Sequence, residues 1–198
     1  MTKLLIATKN EGKIRDFHQL LQPYGIEVVS LLDLKEEIPD IEETGSTFEE
    51  NAAIKAETIA NQLKLPTLAD DSGLVIDYLN GRPGIYSARY AGENKDDAAN
   101  IEKVLTEMHG VSSDKRTARF VCVLAWAEPN QATIFKKGRC EGTIAEQPIG
   151  NNGFGYDPIF YPKGFEITMA QMSKQEKNAI SHRHNAMIQL EEWLKRKG

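Results

Sequence analysis

The sequence predicts an α/β protein built on a mixed β-sheet flanked by helices. Three observations carry this. In the first half, short apolar runs alternate with segments of helical periodicity. Two longer apolar runs then follow each other with only a turn between them, as in a β-hairpin. Capping patterns open two of the helical segments. Strands joined through helices pair in parallel and a hairpin pairs antiparallel, so the sheet is mixed.

The elements follow in order. Lys3 to Ala7 reads as a buried strand. Gly12 to Leu21 reads as a short helix, with Ile14, Phe17, Leu20 and Leu21 at helical spacing and Pro23-Tyr24-Gly25 ending it. Ile26 to Ser30 is a second strand, and Leu31 to Gly45 an acidic, poorly periodic connection. Ser46-Thr47-Phe48-Glu49 is a capping box opening a long helix, Phe48 to Leu63. Thr67 to Asp70 and Leu74 to Asp77 are short strands around a tight Asp-Ser-Gly turn. Asp96 to Met108 is a helix with Ile101, Val104, Leu105 and Met108 on one face. Thr117 to Ala127 and Thr133 to Cys140 form the hairpin, through Glu128-Pro129-Asn130. Gly142 to Ala145 and Pro158 to Tyr161 are shorter strands. Lys174 to Lys195 is the last helix, opened by the capping box Ser173-Lys174-Gln175-Glu176.

A chain of 198 residues is long enough for one sizeable core, and no linker marks independent domains. The longest apolar run, Val121 to Ala127, is too short to span a bilayer. The N-terminus turns polar after Ala7, unlike a signal peptide. The expected location is the cytoplasm, which suits two cysteines, Cys122 and Cys140, in strand-like stretches with no metal-binding or catalytic spacing. A net charge of −5 argues against a broad nucleic-acid surface. It leaves room for a phosphate ligand, which needs only a few local cations.

Five segments carry candidate chemistry. Thr8-Lys9-Asn10-Glu11-Gly12-Lys13 joins a strand to a helix, where backbone N–H groups, the helix dipole and a lysine attract anions; it lacks P-loop spacing. Asp70-Asp71-Ser72-Gly73 offers carboxylates that suit a hard cation such as Mg²⁺, or else an Asx turn. Glu42-Glu43-Thr44-Gly45 adds carboxylates ahead of the helix that carries Lys55 among alanines. In Gly153-Phe154-Gly155-Tyr156-Asp157, flanking glycines leave the Phe154 ring open to stack on a base, and Asp157 can accept from ring N–H groups. Around Lys177, His182 and Arg183, the arginine falls on the apolar stripe of the last helix. Either it snorkels or the helix start faces a polar cleft. His182 and His184 lie two apart and point to different faces, which disfavours zinc.

Ala7 to Lys13, Glu43 to Ala52, Ala69 to Leu74, Gly81 to Gly92, Gly153 to Phe160 and Glu176 to Arg183 recur in one order over nearly the whole chain. In this set the sequence resembles the inosine/xanthosine triphosphate pyrophosphatase family. The resemblance implies an elongated mixed sheet, a single catalytic domain over residues 1–198 with two lobes and the active cleft between them, Mg²⁺ and a homodimer. It implies cleavage of ITP, dITP and XTP to the monophosphate and pyrophosphate, which clears deaminated purines. By position it implies that Thr8, Lys9, Asn10, Glu11, Gly12 and Lys13 bind the triphosphate. It makes Asp71 the general base and a metal ligand, and Glu42 a second metal ligand. Ser72, Phe154, Gly155, Tyr156, Asp157, Lys177, His182 and Arg183 then contact substrate, and Lys55 faces the phosphates. The rivals are a Maf-like pyrophosphatase for other modified nucleotides and a non-catalytic nucleotide-binding module. Ser181-His182-Arg183 favours the purine reading over the first, and the retained carboxylates speak against the second.

Overall fold

The computed structural model describes residues 3–9, 11–34, 38–39 and 41–197, without the side chains of residues 12, 16, 19, 20 and 197. Six strands form one sheet: β1 (Lys3–Ile6), β2 (Glu27–Ser30), β3 (Thr67–Ile76), β4 (Thr117–Ala127), β5 (Ile134–Ile144) and β6 (Phe160–Pro162). Their order is β2-β1-β3-β4-β5-β6. β1 runs parallel to both β2 and β3, and β5 antiparallel to β6. The sheet is therefore mixed, as the alternation of strands and helices predicts. Among the described residues, five α-helices accompany it: α1 (Glu11–Leu21), α2 (Phe48–Leu63), α3 (Asp97–Glu107), α4 (Lys174–Ile180) and α5 (His182–Lys197). No helix among the described residues is long and apolar enough to cross a membrane.

Local chemistry corrects four expectations. The Asp-Ser-Gly segment is no turn: β3 passes through it without interruption. Turn-favouring residues yield to a tertiary context that buries Leu68, Ala69, Leu74 and Ile76 around them. β5 likewise absorbs the strand expected at Gly142 to Ala145, because Gly142 lets Tyr161 of β6 approach: a Cβ there would lie 2.2 Å from its carbonyl oxygen. The α2 cap is shifted by one residue. Thr47 caps the helix by accepting from the Glu50 N–H at 3.1 Å, and the Glu50 carboxylate accepts from the Ser46 N–H at 2.6 Å. The last helix is two helices, divided at Ser181, whose ψ of 150° is extended.

The chain divides into two compact units. Unit 1 comprises residues 1–71, 123–137 and 186–198, and includes a cluster of Leu5, Ile38 and Ile59 packed with Val29, Leu31 and Leu63. Unit 2 comprises residues 72–122 and 138–185, and its core includes Leu74, Ile76, Val104, Met108, Phe120, Ile159, Phe160 and Met169. Within unit 2, Arg116 is buried and donates to the carbonyls of Ile144, Ala145, Met108 and Val111. Four carbonyl acceptors satisfy a guanidinium that otherwise costs dearly to bury.

Candidate active site

The part of β3 that belongs to unit 1 closes on two adjacent buried aspartates, Asp70 and Asp71. Side chains alternate along a strand, so they take different partners. Asp70 holds Lys13 of α1, with Nζ 2.9 Å from Oδ1 and 2.7 Å from Oδ2. Asp71 lies beside Lys55 of α2, whose Nζ is 3.5 Å from Oδ1. Lys55 also donates to Glu43 at 2.7 Å. Three carboxylates thus share two ammonium groups. Burial acts to lower the Lys55 pKa, but Asp71, Asp70 and Glu43 together outweigh it and raise it. Burial pushes Asp71 up to about 6 against the pull of Lys55, and the Glu43 and Asp70 charges add to the rise.

The loop that carries Glu43 is fixed by Asn51, a fully buried residue of α2. Its Oδ1 accepts the Gly45 N–H at 2.8 Å. A Cβ on Gly45 would stand 2.6 Å from that oxygen, so the approach requires glycine. Glu42 is exposed, and it is Glu43 that stands beside Lys55. Nothing in the spacing of the two glutamates distinguishes them.

Oxygen donors suit a hard divalent cation. The second Asp71 oxygen, Oδ2, is buried and meets no donor in full hydrogen-bonding geometry, and the Asn51 side chain lies near enough to favour the charged carboxylate. An open buried carboxylate oxygen beside a second carboxylate fits such an ion. No three acidic, histidine or cysteine side chains among the described residues are grouped to hold a metal by themselves.

Of the expected phosphate-binding segment, Thr8 and Lys9 follow β1 and Glu11, Gly12 and Lys13 open α1. Thr8 N–H donates to the Ile6 carbonyl at 2.8 Å, and Glu11 pairs with Arg15 at 3.6 Å. Asn10 lies outside the described residues.

In unit 2, Ser72 continues β3. The segment Gly153–Asp157 is a tight turn tied by Asp157, which is buried. Asp157 Oδ2 accepts from the Phe154 N–H at 2.9 Å and from Lys177 Nζ. A Cβ on Gly153, at φ +80°, would fall 2.0 Å from the same oxygen. Only glycine closes this turn. Phe154 is 62% exposed, and its ring faces Lys177 Nζ at 4.5 Å from the centroid. Gly155 N–H donates to Asp97 of α3 at 2.6 Å. Tyr156, expected to contact substrate, is buried, with its hydroxyl on the Ser87 carbonyl at 2.7 Å. Burial raises its phenol far above the ordinary range. His182 is buried and stacks on Phe120, centroids 5.0 Å apart and 17° between planes. Arg183, half-buried, sits in the first turn of α5. The break at Ser181 parts it from Ile180 of α4, while it keeps the helical register of Met187 and Leu190 within α5 and stands at that helix's start.

The sequence names Glu43 only within its carboxylate segment, with the metal role given to Glu42, and does not single out Asn51 or Asp97. Glu43 and Asn51 lie inside a matched segment and Asp97 lies in none, so only the fold reveals what it touches.

Residues 4–193 match the Ham1 family. Among curated proteins, the chain is 58% identical over 194 residues to the dITP/XTP pyrophosphatase of Oceanobacillus iheyensis, covering 98% of each chain. It is 56% identical to the dITP/XTP pyrophosphatase of Halalkalibacterium halodurans, covering 98% of this chain and 100% of that one. Among solved structures, the Staphylococcus aureus Ham1 protein superposes with a TM-score of 0.93 at 48% identity, over 100% of both chains.

Proposed function

The chain belongs to the Ham1 family, and from that premise we propose that it hydrolyses the non-canonical purine nucleoside triphosphates ITP, dITP and XTP to the nucleoside monophosphate and pyrophosphate. Full-length similarity to dITP/XTP pyrophosphatases supports the reaction. The observation in this chain that supports it most is Asp71, a buried carboxylate with an open oxygen and a lysine beside it.

Water attacks the α-phosphorus, an O–P bond forms, and the bond from that phosphorus to the bridging oxygen breaks. The electron pair leaves with pyrophosphate. Asp71 orients the water and takes its proton; in the metal-free protein burial holds its carboxyl above the ordinary range, which makes it a better proton acceptor than a solvated carboxylate. Lys13 and Lys55 offset charge gathering on the phosphates, together with the segment Thr8, Lys9, Asn10, Glu11 and Gly12. Asp71 with Glu43, or with Glu42 as the resemblance implies, would hold Mg²⁺. When bound, that ion acts as a Lewis acid and neutralises leaving-group charge.

Phe154 stacks on the base, with Ser72, Gly155, Tyr156, Asp157 and Lys177 around the nucleoside end. His182 and Arg183 donate to the 6-keto oxygen. Adenine carries an amino group there, so donor meets donor, and a site built on that bond rejects such a partner by about 10⁴–10⁵. Guanine shares the keto group and must be refused at its 2-amino group. The reading extends to a cytoplasmic homodimer.

The test is a panel of triphosphates with Mg²⁺, assayed for pyrophosphate and orthophosphate. Pyrophosphate from ITP, dITP and XTP is expected, with ATP and GTP poor and Asp71→Asn almost inactive. Orthophosphate with a diphosphate product would refute α–β cleavage. Comparable kcat/KM for GTP and ITP would remove the selectivity, and an active Asp71→Asn the assignment of the base.

A further inference from the structure

Phe154 is one of several exposed aromatics of unit 2, with Tyr78, Tyr86 and Phe165. Its ring is 62% exposed, and the neighbour given by geometry is an ammonium group rather than an apolar wall. A ring in that state goes where its backbone goes. The Asn152 N–H on the Ala170 carbonyl at 2.9 Å and the Tyr156 hydroxyl on the Ser87 carbonyl at 2.7 Å anchor the flanks of the turn, and two aspartates bind the N–H groups of Phe154 and Gly155 themselves. Asp157 binds the Phe154 N–H from within the turn and is itself paired with Lys177 of α4. Asp97 binds the next N–H, that of Gly155, from 58 residues away on another element, at 2.6 Å. It is a direct side-chain tie from another element to the residue next to the ring, made at an exposed aspartate.

An aspartate in the first turn of a helix is ordinarily explained by the helix dipole. Here the cap is already supplied. Asp96 accepts from the Ala99 N–H at 3.1 Å as the N-cap of α3. One turn into the helix, Asn100 is buried and serves another loop, accepting from the Ala91 N–H at 2.7 Å and donating to the Ala88 carbonyl at 3.2 Å. The start of α3 is thus a bracket that fixes two loops, and Asp97 is the arm that reaches the aromatic turn.

We propose that Asp97 is a positioning residue: through the Gly155 N–H it sets where the Phe154 ring stands, and thereby the affinity for the nucleoside end of the substrate. This rests on the reading that Phe154 meets the base. Loss of one such bond should weaken nucleoside binding about 5- to 20-fold and leave the phosphate end untouched.

The experiment uses the full chain with Mg²⁺ and compares Asp97→Ala, Asp97→Asn, Asp96→Ala and Phe154→Ala. It reads KM and kcat for ITP and the inhibition constants of inosine monophosphate and of pyrophosphate. In Asp97→Ala, KM for ITP and the constant for inosine monophosphate should rise about 5- to 20-fold, with kcat within a factor of about 3. The pyrophosphate constant should hold. Asp97→Asn keeps an oxygen acceptor and should recover most of the loss. Asp96→Ala should lower the melting temperature and move neither constant. Equal changes in both constants for Asp97→Ala, no change in either, or no rescue by asparagine would overturn the assignment. Phe154→Ala separates the two levels of failure. If it leaves the inosine monophosphate constant unchanged, stacking fails and the role of Asp97 falls with it. If it raises that constant while Asp97→Ala does not, only the role of Asp97 is lost.

Discussion

Glu42 and Glu43 have the same side chain, one bond apart along the backbone, and different surroundings. Glu43 receives Lys55 at 2.7 Å and lies close enough to Asp71 to raise its pKa. Glu42 is exposed and has no ion pair among the described residues. If the Asp71 cluster performs the chemistry, Glu43 is the partner whose charge counts. Glu43→Gln should lower kcat/KM for ITP by about 10²-fold or more, as removal of one aligned electrostatic group does elsewhere. Glu42→Gln should stay within a factor of about 3. Steady-state kinetics at saturating Mg²⁺ decide it, and the reverse order would restore Glu42 as the second ligand. The residue types at this site were legible in the sequence, since lysines, carboxylates and a glycine-flanked aromatic are the chemistry a nucleotide needs. Their direction was not. The connection from Leu31 to Gly45 has no period, so no face can be assigned. The Gly45–Asn51 hydrogen bond, which sets it, is a contact between a loop and a helix.

At the scale of elements, the helical spacing of α1, α2 and α3 appears in the sequence because each buries one stripe. What failed was punctuation. Asp-Ser-Gly carries turn propensity, and strand context overrode it. Ser181 carries a capping side chain inside an apparently unbroken helix, and there the local signal won: its Oγ accepts the His184 N–H at 3.2 Å and starts α5 afresh. The break sets the placement of His182 and Arg183, so a single hydroxyl joins stability to the proposed nucleoside end. Ser181→Ala should destabilise the protein by about 1 kcal/mol, the ordinary value of a lost helix cap. The effect should appear as a lower urea midpoint at unchanged slope, and Ser181→Asp should restore most of it. An alanine variant as stable as the parent would mean that this bond does not hold the start of α5.

The whole molecule bears the cost of the Asp71 cluster. Folded proteins are stable by only about 5–15 kcal/mol, and in the metal-free protein one buried carboxylate works against that total. Asp71 sits at about 6 rather than the ordinary 3.8, so the native state binds its proton more tightly than the unfolded chain does. The stability this proton confers is complete below about pH 4 and is lost as pH rises through about 6. The difference amounts to about 3 kcal/mol at most. Asp71→Asn is neutral throughout and has nothing to lose. Relative to the parent, its stability should therefore climb between pH 4 and pH 7 and level off above. Urea unfolding in the presence of a chelator at pH 4, 5, 6 and 7 measures the difference between the two proteins. Adding Mg²⁺ at pH 7 should narrow it, because an ion bound to the native parent and not to the variant favours the parent's folded state. A difference that stays flat with pH would mean that the fold does not disfavour the charge on Asp71. A climb that Mg²⁺ does not reverse would keep the buried charge and remove the metal from it. If both effects appear, one substitution yields a more stable metal-free protein that cannot turn over its substrate, as expected where a site is held in a charge state the fold alone would not choose.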